Sequence, residues 1–270
     1  MGKSLRLGRI FGIPIEINVT WLVIFLLLTV LLANRFDSPY LRWPVYQQWI
    51  VAIATVGLFF LSVLAHELSH SLVALSRGIP VTSITLFIFG GVSHLASEPR
   101  RPSEEFLISV VGPLTSIALA VIAGAVLVWV SPGNSLWPTR NASSVEMMAF
   151  LLAWGNLTVG IFNMIPGFPL DGGRVLRAVV WACSGSHLKA TRVAARCGQG
   201  VGLLMMAGGV AYIVVWDNWV DGIWAAVIGF FLLSVATSAY PKAEQPQYAA
   251  APVVKCRRQP DSLELPADPC

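Results

Sequence analysis

The chain of 270 residues is 56% hydrophobic and only 12% charged, against about 25% charged in an ordinary soluble domain. Apolar residues spread over the whole length exclude a soluble enzyme or a disordered chain, and the formal net charge of +4 reads as loop charge that orients a membrane protein, not as a nucleic-acid footprint. The cysteines, Cys183, Cys197, Cys256 and Cys270, show no C-x-x-C spacing, which argues against a zinc knuckle or a redox pair.

Residues 4–16 alternate apolar and polar side chains between Gly and Pro, the grammar of a short strand or hairpin at a membrane surface. The apolar run at 17–33 is longer than a signal-peptide core and lacks a clear cleavage site, so it predicts a retained first span at about 18–33. A polar loop at 34–46 leads to a second span at about 47–76. This span carries His66-Glu67-Leu68-Ser69-His70 toward its C-terminal end. Residues i and i+4 share a helix face, so His66 and His70 present two imidazoles side by side and Glu67 flanks them. Two His can hold zinc, and the adjacent carboxylate can take a proton from the metal's water. H-E-x-x-H alone arises by chance in many soluble helices. Within a membrane span the three polar groups are costly, and an uncoordinated cluster has few explanations.

Residues 81–95 are rich in β-branched and aromatic types and are broken by Gly90-Gly91, which predicts a hairpin. It is either a plain structural hairpin or an open edge that pairs with an extended peptide. Residues 98–105, including Glu104 and Glu105, read as a solvated loop. A third span follows at about 106–130 with Gly112-Pro113 inside it, where the Pro kinks the helix and small residues allow close packing. After a polar loop at 131–144, a fourth span begins near 145 and carries Asn156 and Asn163. It runs into Asn163-Met164-Ile165-Pro166-Gly167-Phe168-Pro169-Leu170-Asp171-Gly172. Two prolines prevent a regular helix here, and broken backbone at membrane depth survives only beside protein or a wet cavity. Asp171 is either the cap of a helix at 172–183 or a third metal ligand. The need of the His pair for another ligand favours the ligand. Asn163 either donates to a developing oxyanion or satisfies freed carbonyls at the break. Residues 185–196 read as a basic connection containing His187. Spans five and six follow at about 198–215 and 219–239. The Pro- and Gln-rich residues 242–270 are expected to be a disordered tail behind a membrane domain at 1–241. His94 and His187 are expected to be surface or structural groups.

With the spans alternating, only Arg35, Arg42 and Arg140 of the 18 Lys and Arg fall on one side. The positive-inside rule then puts both termini in the cytoplasm, with the His cluster and Asp171 near that same side.

At these residues the chain resembles the site-2 protease family of intramembrane zinc metallopeptidases, peptidase family M50. The resemblance rests on His66-Glu67-Leu68-Ser69-His70 and on the Asn163–Gly172 segment, in that order within successive spans. It implies an all-α polytopic protein of about six transmembrane helices with a small membrane-associated sheet, in a bacterial or archaeal plasma membrane. It further implies one Zn2+ held by His66, His70 and Asp171, with Glu67 as general base and Asn163 orienting substrate or stabilising the oxyanion. Residues 84–95 would offer a strand edge to an unwound substrate helix. The implied partners are the lipid bilayer and a single-span membrane protein, either a membrane-anchored transcriptional regulator or a signal-peptide remnant. The connection at 77–105 is short for a PDZ domain and the tail is short for paired CBS domains, so the form is compact.

Two other readings stay open. A different class of H-E-x-x-H membrane metalloprotease would take a Glu from a later helix, but after Asp171 no Glu occurs before Glu244. A zinc carrier would use His and Asp within the membrane with no need for Glu67 as a base.

Overall fold

Hydrophobic runs set the architecture. The computed structural model describes residues 4–242 apart from 38–40, 42, 89, 139 and 140; the expected tail lies outside the described residues except for its first one. Strands β1 (Ser4–Ile10) and β2 (Ile13–Asn18) precede α1 (Val19–Phe36) and α2 (Val45–Ser76). Strands β3 (Val81–Phe87) and β4 (Gly90–Leu95) follow, then α3 (Pro102–Val130), α4 (Ser144–Asn163), α5 (Asp171–Ser184), α6 (His187–Trp216) and α7 (Trp219–Lys242). Among the described residues, six helices, all but α5, are long and apolar enough to cross a membrane. Their outer faces are apolar as well: Leu26, Leu61, Val121 and Leu204 are each at least 60% exposed. Such a surface is unfavourable in water and matched in lipid. The chain is an integral, multi-pass membrane protein with the expected helical fold and a small sheet.

The sheet goes beyond the expected hairpins, because the two join as one sheet in the order β1-β2-β3-β4. β2 and β3 pair in parallel, Ile15 opposite Ile84 and Ile17 opposite Leu86. Parallel neighbours need a long crossover, and α1 and α2 supply it. Ile13, Ile15 and Ile84 are buried and pack on Leu64 and Leu68 of α2. The sheet is thereby seated on the turns of α2 that carry the His pair, with β4 at its edge.

Helix α2 is the hub: it packs against α1, α3, α4 and the sheet, whereas α6 packs on α5 and α7. Two boundaries differ from the expectation. α6 begins at His187, so the basic stretch 187–196 is its first turns and not a separate connection. α3 begins at Pro102, and Glu105 is fully buried in its first turns, where solvated loop was expected. Burial is tolerated there because Arg177 of α5 pairs with Glu105 through both Nε and a terminal nitrogen.

Candidate metal centre

The centre is assembled on three helices. His66 and His70 lie on one face of α2, each 4% exposed. Asp171 is the first residue of α5, and the residue in the capping position is Leu170, with no side-chain cap bond. The alternative reading of Asp171 as a helix cap is therefore not met. Its carboxylate is directed across to α2: Oδ2 lies 3.0 Å from His66 Nε2 and 3.2 Å from His70 Nε2. The two Nε2 atoms are 3.2 Å apart. Zinc bonds of about 2.0–2.2 Å at tetrahedral angles put neighbouring donors about 3.3 Å apart. The three donors match that spacing within a few tenths of an ångström.

The other imidazole nitrogens are already engaged. His70 Nδ1 meets the backbone carbonyl of Ile108 on α3. A carbonyl only accepts, so Nδ1 carries the proton and Nε2 keeps its lone pair for a metal. His66 Nδ1 lies 2.8 Å from Ser116 Oγ, also on α3. Between those two contacts sits Gly112. A Cβ placed on it would fall 2.2 Å from His70 Nε2 and 2.6 Å from His66 Nε2. Glycine thus leaves open the space into which the donors converge, a cradle that any larger residue would fill. The donor set, one carboxylate and two imidazoles, suits zinc.

Glu67 turns toward the sheet. Its Oε2 lies 2.9 Å from Ser93 Oγ on β4, and Ser71 Oγ is 3.0 Å from its backbone carbonyl. β4 crosses so close that a Cβ on Gly91 would lie 2.4 Å from Glu67 Cγ. Glu67, His70, Asn163 and Asp171 line one cavity of about 180 Å3, together with Gly91, Val92, Ser93 and Leu95 of β4 and with Arg174. The Asn163 amide nitrogen donates to Val159 O at 3.1 Å, within its own helix. Asn156, by contrast, is buried away from this cavity and donates to Leu152 O and Ser62 Oγ. His94 is exposed, and His187 sits against the Trp181 ring and 3.8 Å from Glu98. Neither is in the donor cluster.

Sequence reasoning named the five residues that meet here and missed Ser93, Ser116, Gly112 as a cradle, and the Ile108 carbonyl. None of these carries a metal-site pattern of its own. Only contacts 26 and 50 residues away along the chain bring Ser93 and Ser116 to the site.

Comparisons with known proteins agree with this geometry. The profile of peptidase family M50 matches residues 54–207, which include the His pair, Glu67, Asn163 and Asp171. A Synechocystis protein named as a zinc metalloprotease is 35% identical over 99% of this chain and 68% of its own length. Mycobacterium tuberculosis Rip3, named likewise, is 37% identical over 87% of the chain. A zinc metalloprotease of Methanocaldococcus jannaschii is 36% identical over 78%. The chain spans 58% and 55% of the lengths of those last two relatives. Among solved structures, the site-2 protease from Methanocaldococcus jannaschii superposes with a TM-score of 0.59 at 29% identity, over 88% of this chain and 95% of that one. The chain belongs to peptidase family M50, and fold, donor set and family agree on a multi-pass membrane zinc metalloprotease.

Proposed function

We propose that the chain is an intramembrane endopeptidase that cleaves the transmembrane segments of single-span proteins, with His66, His70 and Asp171 as the zinc ligands. The observation that carries this reading is the position of Glu67, beside three converging donors and under the open strand β4. Bound zinc would supply Lewis acidity, which brings the pKa of a coordinated water to about 7. Glu67 would act as the base that takes a proton from the attacking water and returns it to the departing amine, and Ser93 holds its carboxylate in place. Asn163 lines the same cavity, and its amide, rotated away from Val159 O, donates to the oxyanion of the attacked carbonyl. A helical peptide bond is sterically hidden and hydrogen-bonded, so the substrate must unwind. The backbone of β4 offsets part of that cost by pairing with the extended segment. The charge distribution supports a cytoplasmic position for both termini and for the mouth of the site. A membrane-anchored transcriptional regulator and a signal-peptide remnant both fit such a groove.

The test is zinc content and cleavage of a single-span substrate, measured in the same samples of wild type and Asp171→Ala. Wild type is expected to hold one zinc and cleave, and the variant to lose both. Retained zinc and cleavage in the variant would remove Asp171 from the ligand set. Zinc flux in proteoliposomes without peptide cleavage would point to a carrier instead.

A further inference from the structure

Two cavities meet at one cation. Beside the metal-centre cavity lies a larger one of about 410 Å3, walled by residues 95–99 together with Ser93, Arg174 and Arg177. Ser93, Leu95 and Arg174 belong to both walls. Arg177 pairs with Glu105, and the exposed Glu98 carboxylate lies 3.8 Å from His187. The Glu67 carboxylate is held by Ser93, and that of Asp171 faces the two imidazoles. Among the described residues no carboxylate forms an ion pair with the Arg174 guanidinium, which is half-buried. Arg174 is three residues beyond Asp171 on α5, so both side chains project from the same helix face. A guanidinium offers a planar fork of donors that matches a carboxylate, and partial burial strengthens such a pair.

We propose that Arg174 is a carboxylate-binding subsite for the peptide at the wall the two cavities share, an inference that rests on the endopeptidase reading above. The carboxylate has two sources. One is an Asp or Glu side chain of the substrate, on the part of the strand that leaves the metal centre past Leu95. The other is the new α-carboxylate: water adds to the peptide carbonyl, the C–N bond breaks, and one fragment ends in a carboxylate while the other gains a proton as an amine.

The experiment uses the full chain in detergent, with binding read in the Glu67→Gln background and cleavage read in wild type. Single-span peptides carry Asp, Asn or Lys at successive positions around the scissile bond, and fragments end in either a carboxylate or an amide. If the substrate side chain is the source, Asp at one position binds about tenfold more tightly than Asn. Arg174→Gln removes that preference and Arg174→Glu transfers it to Lys. If the product is the source, the acid fragment inhibits about tenfold more strongly than its amide, and Arg174→Gln erases the difference. A purely structural role for Arg174 would move neither ratio. Should Arg174→Glu lose zinc, Arg174→Gln and Arg174→Lys carry the comparison, with Lys keeping part of the preference. An Arg174→Gln protein with wild-type zinc content and both ratios intact overturns the subsite. A charge preference in binding with no cleavage of any peptide by wild type counts against the endopeptidase reading and leaves the subsite standing.

Discussion

In the proposed mechanism Glu67 and Gly112 make opposite demands at the same centre: one must be able to take a proton, the other must have no side chain at all. Glu67→Gln keeps the shape and the Ser93 contact but has no basic oxygen. It is expected to keep its zinc and lose about 10²–10⁴ in kcat, the usual worth of a general base. His66→Ala is expected to lose metal and activity together. Full turnover by Glu67→Gln in a single-span cleavage assay would end the proposed mechanism. Gly112→Ala tests the cradle without replacing any donor residue. Its Cβ would fall within 2.6 Å of both Nε2 atoms, so the purified variant should fold and carry no zinc by elemental analysis. Stoichiometric zinc in that variant would mean that α3 yields to let the ion in. Ser93→Ala leaves the metal alone and releases the base; kcat should fall about tenfold at unchanged zinc content. The His pair and Glu67 were legible because a helix places i and i+4 together whatever the rest of the chain does. Ser93 and Gly112 were not, since their roles exist only once β4 and α3 lie against α2.

At the scale of elements, the contact between α3 and α5 decides whether Asp171 reaches the His pair. α3 supplies the Ile108 carbonyl to His70 and Ser116 to His66, and α5 supplies Asp171. Glu105 and Arg177 join the same two helices. The stretch Ser103-Glu104-Glu105 looks like solvated loop from its own composition, and only the position of α5 turns Glu105 into a core residue. One oxygen of that carboxylate, Oε2, is buried with no hydrogen-bond partner among the described residues, so the pair already carries a desolvation cost. Arg177→Met leaves Glu105 buried and unpaired, and should destabilise the protein by about 3–5 kcal/mol. Zinc should be lost more readily to a chelator in step with that change. The double variant Glu105→Gln, Arg177→Met removes both charges and should recover most of the thermal stability and the chelator resistance. A double variant no better than Arg177→Met alone would mean that the contact acts by packing and not by charge pairing. The four-stranded sheet shows the same limit on reading locally. Each hairpin has its own alternation and turn residues, but the parallel pairing of β2 with β3 depends on where α1 and α2 return the chain.

For the whole molecule, the depth of the site follows from helix geometry. α2 has 32 residues, so at 1.5 Å per residue it is roughly 48 Å long, well beyond a hydrocarbon core of about 30 Å. His70 lies six residues before Ser76, where α2 ends, so the metal centre sits roughly 9 Å in from that end of the helix. Hydrolysis at that depth needs water, and the larger cavity walled in part by residues 95–99 and Arg174 lies directly beside the metal-centre cavity. In the orientation proposed from the charge distribution that side is cytoplasmic, and Ser135 lies on the opposite face. On a cysteine-free background, Ser97→Cys should therefore react with a membrane-impermeant maleimide only from the cytoplasmic side. Ser135→Cys should react only from outside, and a peptide ligand should shield Ser97→Cys alone. Six spans force these two positions onto opposite faces whichever way the protein is inserted. Labelling of both from one side would therefore contradict the six-span path itself. Labelling of each from the unexpected side would keep the path, invert the orientation, and put the water route and the released fragment outside the cell.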